Sequence, residues 1–372
     1  MFNPEIFNSL SQYALKVNAI NLSQGIPEGF LDKEISTLLT SMGINSWQYT
    51  DPKGETSLRN AVKNEYNNNC SIEQIIITSG ATESLAIAVQ AVKNLYGNKI
   101  AFIEPFYPYY SGLCQINNME VFPIKMKYND GTPNPDINLL EDFAKLGGKI
   151  FILNTPHNPS GWVLSQDELS KIIEIIDKYG IFLIVDDTYR RYIYKKDSAD
   201  ISMLLQIDNV IICGSSSKLL SATGLRIGWL LGKLNVIEDA FLHHLYTTFC
   251  QPLILQKIVT DMLCSLQTNQ NIFINILNHY EEKRDTLFDQ LTHIGFKCSK
   301  PSGGHFIMAN YSQLSNYSSF DFARYLADKC KVLPMPGDIF YLSKNQPFVR
   351  FSFSISKDKL IRAAENLTSF FN

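Results

Sequence analysis

The chain has 372 residues, of which 45% are hydrophobic and 19% are charged. This length fits two to three domains of ~100 to 200 residues each, and the composition excludes both a single small binding module and a disordered chain. Lysine and arginine number 33 against 36 acidic residues, a formal charge of −3 without a basic run, so we expect no nucleic-acid partner.

The sequence also lacks signals for a membrane or for secretion. The longest apolar runs, such as IIIT at 75–78 and IFLIV at 181–185, are far shorter than the ~20 residues of a spanning helix. Residues 1–20 show no basic start followed by an apolar stretch, so we expect a cytoplasmic protein without a membrane anchor. The seven cysteines form no CxxC pair, which argues against disulfides and against a metal site.

From about 74 to 232, short apolar runs alternate with amphipathic segments of helical period. Such alternation predicts a mainly parallel sheet that helices cover on both faces. The seven runs that we interpret as strands are QIIIT (74–78), KIAFIE (99–104), VFPIKM (121–126), KIFILN (149–154), IFLIVDD (181–187), NVIICGS (209–215) and RIGWLLG (226–232).

One crossover helix is well defined by the sequence. Ser165 and Glu168 have the spacing of a capping box, and apolar residues follow at helical spacing until Gly180, where we expect the helix to end. Beyond 232, long helical segments extend over roughly 234–295, and HFIMANY and VRFSFSI then predict strands of a smaller region.

Residues directly after the predicted strands form a coherent set, because ligands of an open α/β sheet bind at the carboxyl ends of its strands. Gly80, Ala81 and Thr82 follow the first run and open a helix, where backbone N–H groups suit a phosphate. Taken alone, so short a motif is more simply explained as a tight strand-to-helix turn.

Three further residues follow the later strands and a fourth begins the last one, with spacings of 28, 32 and 8 between them. They are Asn158 in TPHNPSG, Asp186 after IFLIV, Lys218 in SSSKLLSATG, and Arg226. A buried carboxylate such as Asp186 suits a cationic ring nitrogen, although it also suits a helix cap. A lysine such as Lys218 suits Schiff-base formation, although a solvated lysine is the ordinary alternative.

Together these motifs resemble those of the class I and II aminotransferases, which are fold-type I pyridoxal-phosphate enzymes. The resemblance covers nearly the whole chain, through NLSQGIPEGF, YTDPKGETSLRNAV, TSGATESL, EPFYPYY, NTPHNPSG, VDDTYRRY, SSSKLLSATGLRIGW and VRFSFS. It implies an α/β fold with a large domain around a mainly parallel seven-stranded sheet and a smaller C-terminal α+β domain. The implied divisions are 1–40 (N-terminal arm and part of the small domain), 41–285 (large cofactor-binding domain) and 286–372 (small domain).

The resemblance also implies the roles of the site residues toward pyridoxal 5'-phosphate. Lys218 would bind the cofactor covalently and move the substrate Cα proton, and Asp186 would pair with the pyridinium nitrogen. Asn158 and Tyr189 would hydrogen-bond the ring oxygen. Tyr107 would stack on the ring, although neighbouring Phe106 leaves the choice of aromatic residue open. The phosphate would be held by Gly80, Ala81, Thr82, Ser215 and Arg226, and by Tyr49 of the neighbouring subunit, which implies a homodimer.

For the substrate, the resemblance implies that Arg350 grips the α-carboxylate and that the loop of Gly25 lies over the substrate. GIPEGF departs from the usual acidic-aromatic ending of this loop and brings Glu28 toward the substrate. A carboxylate there would select a cationic, arginine-like side chain. Alternatively, Glu28 points to solvent and the pocket is apolar, formed by residues such as Phe30 and Tyr109.

We expect transamination of an L-amino acid. The alternative is a β- or γ-elimination lyase or a cyclase of specialised amino-acid metabolism, for which a hydroxylated arginine-like amino acid would be a suitable substrate. Both alternatives stay open because all these reactions begin with the same Cα carbanion. A third class, the aminotransferase-like sensor domain of a transcription regulator, carries an N-terminal DNA-binding domain, whereas only 24 residues precede Gly25.

Overall fold

The computed structural model describes residues 5–43, 47–129 and 132–371. Within these ranges the α-helices are, in chain order, α1 (Glu5–Lys16), α2 (Asp32–Ser41), α3 (Thr56–Glu65), α4 (Ala81–Tyr96), α5 (Tyr109–Ile116), α6 (Asn138–Lys145), α7 (Gln166–Tyr179), α8 (Ser216–Leu219), α9 (Leu234–Thr247), α10 (Leu253–Thr268), α11 (Gln270–Ile294), α12 (Ser319–Lys329) and α13 (Lys357–Phe371).

The strands of the same ranges are β1 (Ile20–Asn21), β2 (Ile75–Thr78), β3 (Lys99–Glu104), β4 (Glu120–Asn129), β5 (Thr132–Pro135), β6 (Ile150–Asn154), β7 (Phe182–Asp186), β8 (Val210–Ser215), β9 (Gly228–Gly232), β10 (Lys297–Cys298), β11 (Phe306–Asn310), β12 (Val332–Leu333), β13 (Met335–Pro336) and β14 (Phe348–Ser352).

The large sheet has the order β2-β9-β8-β7-β6-β3-β4-β5. The strands from β8 to β4 pair in parallel, whereas β9 runs antiparallel to both of its neighbours. Alternate residues of β6 pack into two separate hydrophobic cores. Phe151 and Leu153 belong to one core, and Ile150 and Ile152 belong to the other. Both faces of the sheet are therefore covered, as the continuous apolar runs predicted.

All seven predicted runs form strands of this sheet, but the sheet has an eighth strand that the prediction missed. This strand, β5, pairs antiparallel with the end of β4 and contains Pro133 and Pro135. Proline removes an N–H donor and so argues against a strand, except at a sheet edge, which is where β5 lies.

The predicted capping box is confirmed at the start of α7. The Ser165 hydroxyl accepts from the Glu168 N–H at 3.3 Å, and the Glu168 carboxylate accepts from the Ser165 N–H at 2.8 Å. The helix ends at Gly180, whose φ of +59° lies in the left-handed region that glycine adopts without strain.

A segment near the start of the sequence pairs with a segment of the C-terminal region. β1 pairs in parallel with β12, and β10, β11, β14 and β13 form a second, antiparallel sheet. The boundary predicted at 285 falls inside α11, which continues to Ile294, and the division into domains stays a prediction. No helix of the described ranges combines the length and the apolar character needed to cross a membrane.

Candidate active site

A cavity of about 300 Å³ opens at the carboxyl ends of β6, β7 and β8. Eleven of the fourteen predicted site residues line it: Gly25, Ala81, Thr82, Tyr107, Asn158, Asp186, Tyr189, Ser215, Lys218, Arg226 and Arg350. The fold thus brings together residues that are separated by up to 325 positions in the chain. Gly80, Tyr49 and Glu28 are outside this lining.

Asp186 is the last residue of β7 and is 4% exposed. Its Oδ2 accepts from the Tyr110 hydroxyl at 2.5 Å, and its Oδ1 accepts from the N–H and the hydroxyl of Thr188 at 3.1 and 2.7 Å. Burial raises the pKa of Asp186, and the bonds from Tyr110 and Thr188 oppose that rise. The carboxylate is therefore oriented by neutral donors, and no basic residue described here pairs with it.

Lys218 lies on α8, a single turn that Ser215 caps by accepting from the Ser217 N–H at 3.1 Å. The Lys218 Nζ donates to the carbonyl oxygen of Gly25 at 2.5 Å. Burial, together with the charges of Arg350 and Arg226, lowers the pKa of Lys218 to about 8. A larger share of its amine is therefore neutral, and hence nucleophilic, at physiological pH.

The start of α4 and the Arg226 side chain form one edge of the cavity. Gly80 precedes α4 with a φ of +78°, and a Cβ on it would lie 2.7 Å from Nη2 of Arg226. Only glycine permits this approach. Arg226 donates to neutral oxygens of Ser79, Ser217 and Thr223 at 3.2–3.3 Å. A helix N-terminus beside an arginine attracts an anion such as phosphate.

Arg350 lies on β14 and is only 3% exposed. It donates from Nη1 to Oδ1 of Asn158 at 2.7 Å and from Nη2 to the Ser23 carbonyl oxygen at 2.8 Å, while its buried Nε has no hydrogen-bond partner. Burial lowers the pKa of Arg350 to about 10. A buried cation without a carboxylate partner among the described residues is costly, and a bound anion would remove that cost.

The two adjacent aromatic residues Phe106 and Tyr107 have different surroundings. Tyr107 lines the cavity, whereas Phe106 is buried in the core and donates its N–H to Phe340. Tyr189 lines the cavity too, with its ring 5.2 Å from that of His305. Burial raises the pKa of the Tyr107 and Tyr189 hydroxyls, so both remain protonated donors.

Two predicted residues lie elsewhere. The carboxylate of Glu28 is 3.4 Å from Nζ of Lys283 and 3.5 Å from Nε2 of His279, both on α11. The geometry therefore gives Glu28 a partner within the protein and lends no support to its role as a substrate ligand. Tyr49 is 83% exposed, and its ring lies 5.1 Å from that of Phe249.

Sequence reasoning missed several residues of the site. Tyr110, which binds Asp186, lies three residues after Tyr107, and this near-helical spacing was an available signal. Ser217 lies beside Lys218 in the serine run and lines the cavity with Phe306. Phe7 of α1 also lines the cavity, but nothing in its local sequence indicates that position.

Comparison with known proteins identifies the family of this chain. The family model described as aminotransferase class I and II matches residues 17–367. The kynurenine–oxoglutarate transaminase of Dictyostelium discoideum is 29% identical, over 98% of this chain and 94% of that protein. The aspartate aminotransferase of Pyrococcus horikoshii is 26% identical, over 94% of this chain and 90% of that protein.

Among solved structures, N-succinyldiaminopimelate aminotransferase from Mycobacterium tuberculosis matches with a TM-score of 0.88 and 26% identity, over 98% of this chain and 97% of that one. Each of these relatives is named as an aminotransferase, which favours amino-group transfer over elimination or cyclisation. This chain belongs to the class I and II aminotransferases and is an enzyme that transfers the amino group of an amino acid.

Proposed function

We propose that this aminotransferase binds pyridoxal 5'-phosphate in the cavity at the ends of β6, β7 and β8. The observation that carries the proposal is a group of basic side chains without counter-charges. Lys218, Arg226 and Arg350 line the cavity, and none of them has a carboxylate partner among the described residues. Two anions, a phosphate and an α-carboxylate, would balance the two arginines.

The residues fit the cofactor group by group. Arg226, Ser215 and the start of α4 at Gly80, Ala81 and Thr82 would hold the phosphate. Asp186 would keep the pyridinium nitrogen protonated, Asn158 and Tyr189 would donate to the ring oxygen, and Tyr107 would cover one ring face. When bound, pyridoxal phosphate supplies an electron sink for the charge that develops at the substrate Cα.

Lys218 would have two functions in this proposal. Its amine would bind the cofactor covalently at rest. Once the substrate amine has displaced it, the free Lys218 amine would take the proton from the substrate Cα as a general base and pass it on to the cofactor as a general acid. Arg350 would orient the substrate by two parallel hydrogen bonds to the α-carboxylate. Asn158 would hold the guanidinium in place by accepting a hydrogen bond from its Nη1.

The covalent step can be tested by borohydride reduction of the purified protein, followed by peptide mapping. We expect the protein to be yellow and the label to be on Lys218. Lys283 is the matched internal control, because burial lowers its pKa to about 8 as well, although it is not part of the cavity lining. A label on Lys283, or on any lysine except Lys218, contradicts the proposal.

We also propose that the enzyme is a homodimer in which Tyr49 contacts the phosphate bound by the partner subunit. Trp47, Tyr49 and Tyr246 are between 82% and 85% exposed, and exposed aromatic residues are enriched at interfaces. Mixed Tyr49→Phe and Lys218→Ala chains would form heterodimers with both lesions in one site and an intact second site. We expect such mixtures to regain activity; a mixture without recovery, while Tyr49→Phe alone is impaired, refutes the shared site.

A further inference from the structure

His244 is a buried histidine of α9 to which the proposed function gives no role. It is 0% exposed, so its contacts are complete within one subunit and do not depend on what a partner contributes. Its Nδ1 lies 2.7 Å from Oε1 of Glu83, and its Nε2 lies 3.0 Å from the carbonyl oxygen of Pro52. The ring therefore bridges the first turn of α4, which contains Glu83, and the segment before α3.

Both acceptors of this bridge are fixed in place. Pro52 has a carbonyl oxygen and no N–H, and its neighbours anchor the segment to the large sheet and to the residues before α10. The Lys53 carbonyl oxygen accepts from the Ile77 N–H at 2.9 Å, and the Thr50 hydroxyl donates to the Gln251 carbonyl oxygen at 2.9 Å. The Nε2 atom of the buried ring therefore has a permanent acceptor.

The two acceptors determine the charge of the His244 ring. Burial raises the pKa of Glu83, but hydrogen bonds, first those from His244 and the Ser79 N–H, leave it lowered, so the carboxylate is ionised. A carbonyl oxygen and an ionised carboxylate only accept hydrogen bonds, whereas a neutral imidazole has a single N–H to donate. Both ring nitrogens must then carry a proton, and His244 is an imidazolium paired with Glu83.

Glu83 connects this ion pair to the edge of the cavity formed by the start of α4 and Arg226. Its Oε2 accepts from the Ser79 N–H at 2.5 Å, and the Ser79 carbonyl oxygen accepts from Nη2 of Arg226 at 3.2 Å. Gly80 directly follows Ser79 and precedes α4. A displacement of Glu83 would therefore be transmitted to Gly80 and Arg226, which the proposed function assigns to the phosphate.

The charge of Glu83 also affects an anion at this end of α4. A carboxylate in the first turn of a helix opposes the attraction of a phosphate to the N-terminus, because the two anions repel each other. Paired with the His244 imidazolium, Glu83 contributes no net charge. Without the imidazolium, a negative charge would remain behind the phosphate site, in a place that solvent screens poorly.

We infer that His244, as an imidazolium, is a positioning residue for the phosphate of the cofactor. It holds Glu83 behind the start of α4 and neutralises its charge. This inference rests on the proposed function, because the phosphate belongs to the cofactor proposed there. The property that His244 controls is the affinity for the phosphate, and the transfer of the substrate Cα proton is not affected directly.

The test compares the binding of pyridoxal 5'-phosphate and of pyridoxal, which lacks the phosphate, to the cofactor-free enzyme. The visible absorption gives both dissociation constants, and their ratio reports the contribution of the phosphate, so a general loss of stability cancels. His244→Phe keeps a ring of similar size and removes both hydrogen bonds. We expect it to reduce the preference for the phosphorylated compound at least ~10-fold, because it removes hydrogen bonds of a charged group. An unchanged preference overturns the inference.

A double variant separates the role of charge from a loss of packing. In His244→Phe/Glu83→Gln no unpaired carboxylate remains, so we expect it to regain part of the preference that His244→Phe loses. A double variant as impaired as the single one overturns the charge assignment. If His244→Phe does not fold, His244→Gln, which keeps a neutral donor, replaces it with the same expected direction.

His279→Phe is the matched control. His279 also lies beside a glutamate, with its Nε2 3.5 Å from the carboxylate of Glu28, but this pair is outside the cavity lining. The control should keep the wild-type ratio of the two dissociation constants. An equal loss in His279→Phe and His244→Phe contradicts a specific role of His244.

Failure of the proposed function and failure of this inference have different signatures. A wild-type enzyme that binds pyridoxal 5'-phosphate no more tightly than pyridoxal, or that gives no borohydride label on Lys218, refutes the proposed function. A wild-type enzyme with both properties, whose ratio His244→Phe leaves unchanged, refutes only the role of His244.

Discussion

Asp186 and Asp187 are neighbours at the end of the same strand, yet their surroundings differ. Asp186 lines the cavity and accepts only from neutral donors. Asp187 lines a different cavity, and its Oδ2 accepts from the Tyr66 hydroxyl at 2.8 Å and from Arg190 at 3.4 Å. The first carboxylate has no cationic partner among the described residues, whereas the second has Arg190.

The arginines repeat this contrast. Arg191 binds both carboxylate oxygens of Glu65, at 2.9 and 2.5 Å, and Arg190 stacks on the ring of Tyr66 at 4.1 Å. Arg226 and Arg350 have only neutral partners. Arg350 is 3% exposed, so its charge is buried without a counter-charge among the described residues, whereas Arg226 is exposed to solvent.

The largest expected effect concerns the catalytic lysine. Lys218→Ala should lower kcat by ~10²- to 10⁴-fold, because it removes the group that transfers the proton. The cofactor should still bind through its phosphate and ring contacts, without the covalent link. Steady-state kinetics and the visible spectrum measure the two effects, and a variant with more than a tenth of the wild-type kcat would contradict the assignment.

A paired comparison of arginines comes next. Arg350→Gln should lower kcat/KM by ~10²-fold or more, because each charged hydrogen bond contributes about 1.5 to 3 kcal/mol. Its unfolding free energy should not fall, since a buried cation without a counter-charge is removed.

Arg191→Gln should have the opposite pattern, with lower stability and unchanged activity. It leaves the buried Glu65 carboxylate unpaired and should reduce the unfolding free energy by about 3 kcal/mol, with kcat/KM of the folded enzyme unchanged. Denaturant titration measures the unfolding free energy of both variants, and steady-state kinetics measures their kcat/KM. Loss of activity in folded Arg191→Gln would break the distinction between paired and unpaired charges.

The two buried tyrosines provide a smaller contrast of the same kind. Tyr110→Phe removes the 2.5 Å bond to Asp186 and should lower kcat by ~10-fold, because one hydrogen bond to a charged group contributes about 1.5 kcal/mol. Tyr66→Phe removes the bond to Asp187 and should reduce stability by a similar free energy without lowering kcat. Equal effects of the two changes on kcat would show that Tyr110 does not act through Asp186.

The pH dependence of cofactor capture tests the environment of Lys218. Only the neutral amine attacks the aldehyde, and the folded protein lowers the pKa of Lys218 from 10.5 to about 8. The capture rate of the cofactor-free enzyme should therefore rise with pH up to about 8 and level off above that value. A rate that is still rising between pH 9 and 10 would indicate an amine with its ordinary pKa.

Local signals in the sequence determined much of this protein. The apolar runs identified seven strands of the large sheet, and the capping box and Gly180 bounded α7, because strand formation, helix capping and the left-handed turn depend on a few neighbouring residues. The residues that follow the strands, Asp186 and Lys218 among them, were also predictable, since the carboxyl ends of parallel strands lie at one edge of the sheet.

Tertiary structure decided what depends on distant partners. Glu28 is adjacent to a loop that lines the cavity, and only the packing of α11, 255 residues further along, directs its carboxylate to Lys283. Phe7 reaches the cavity because α1 is tied to the loop through Gln24. β5 forms despite its two prolines because the edge of β4 is available for pairing. Non-local contacts determine the direction of a side chain and which partner it binds. The periodicity of a short segment contains no information about such contacts.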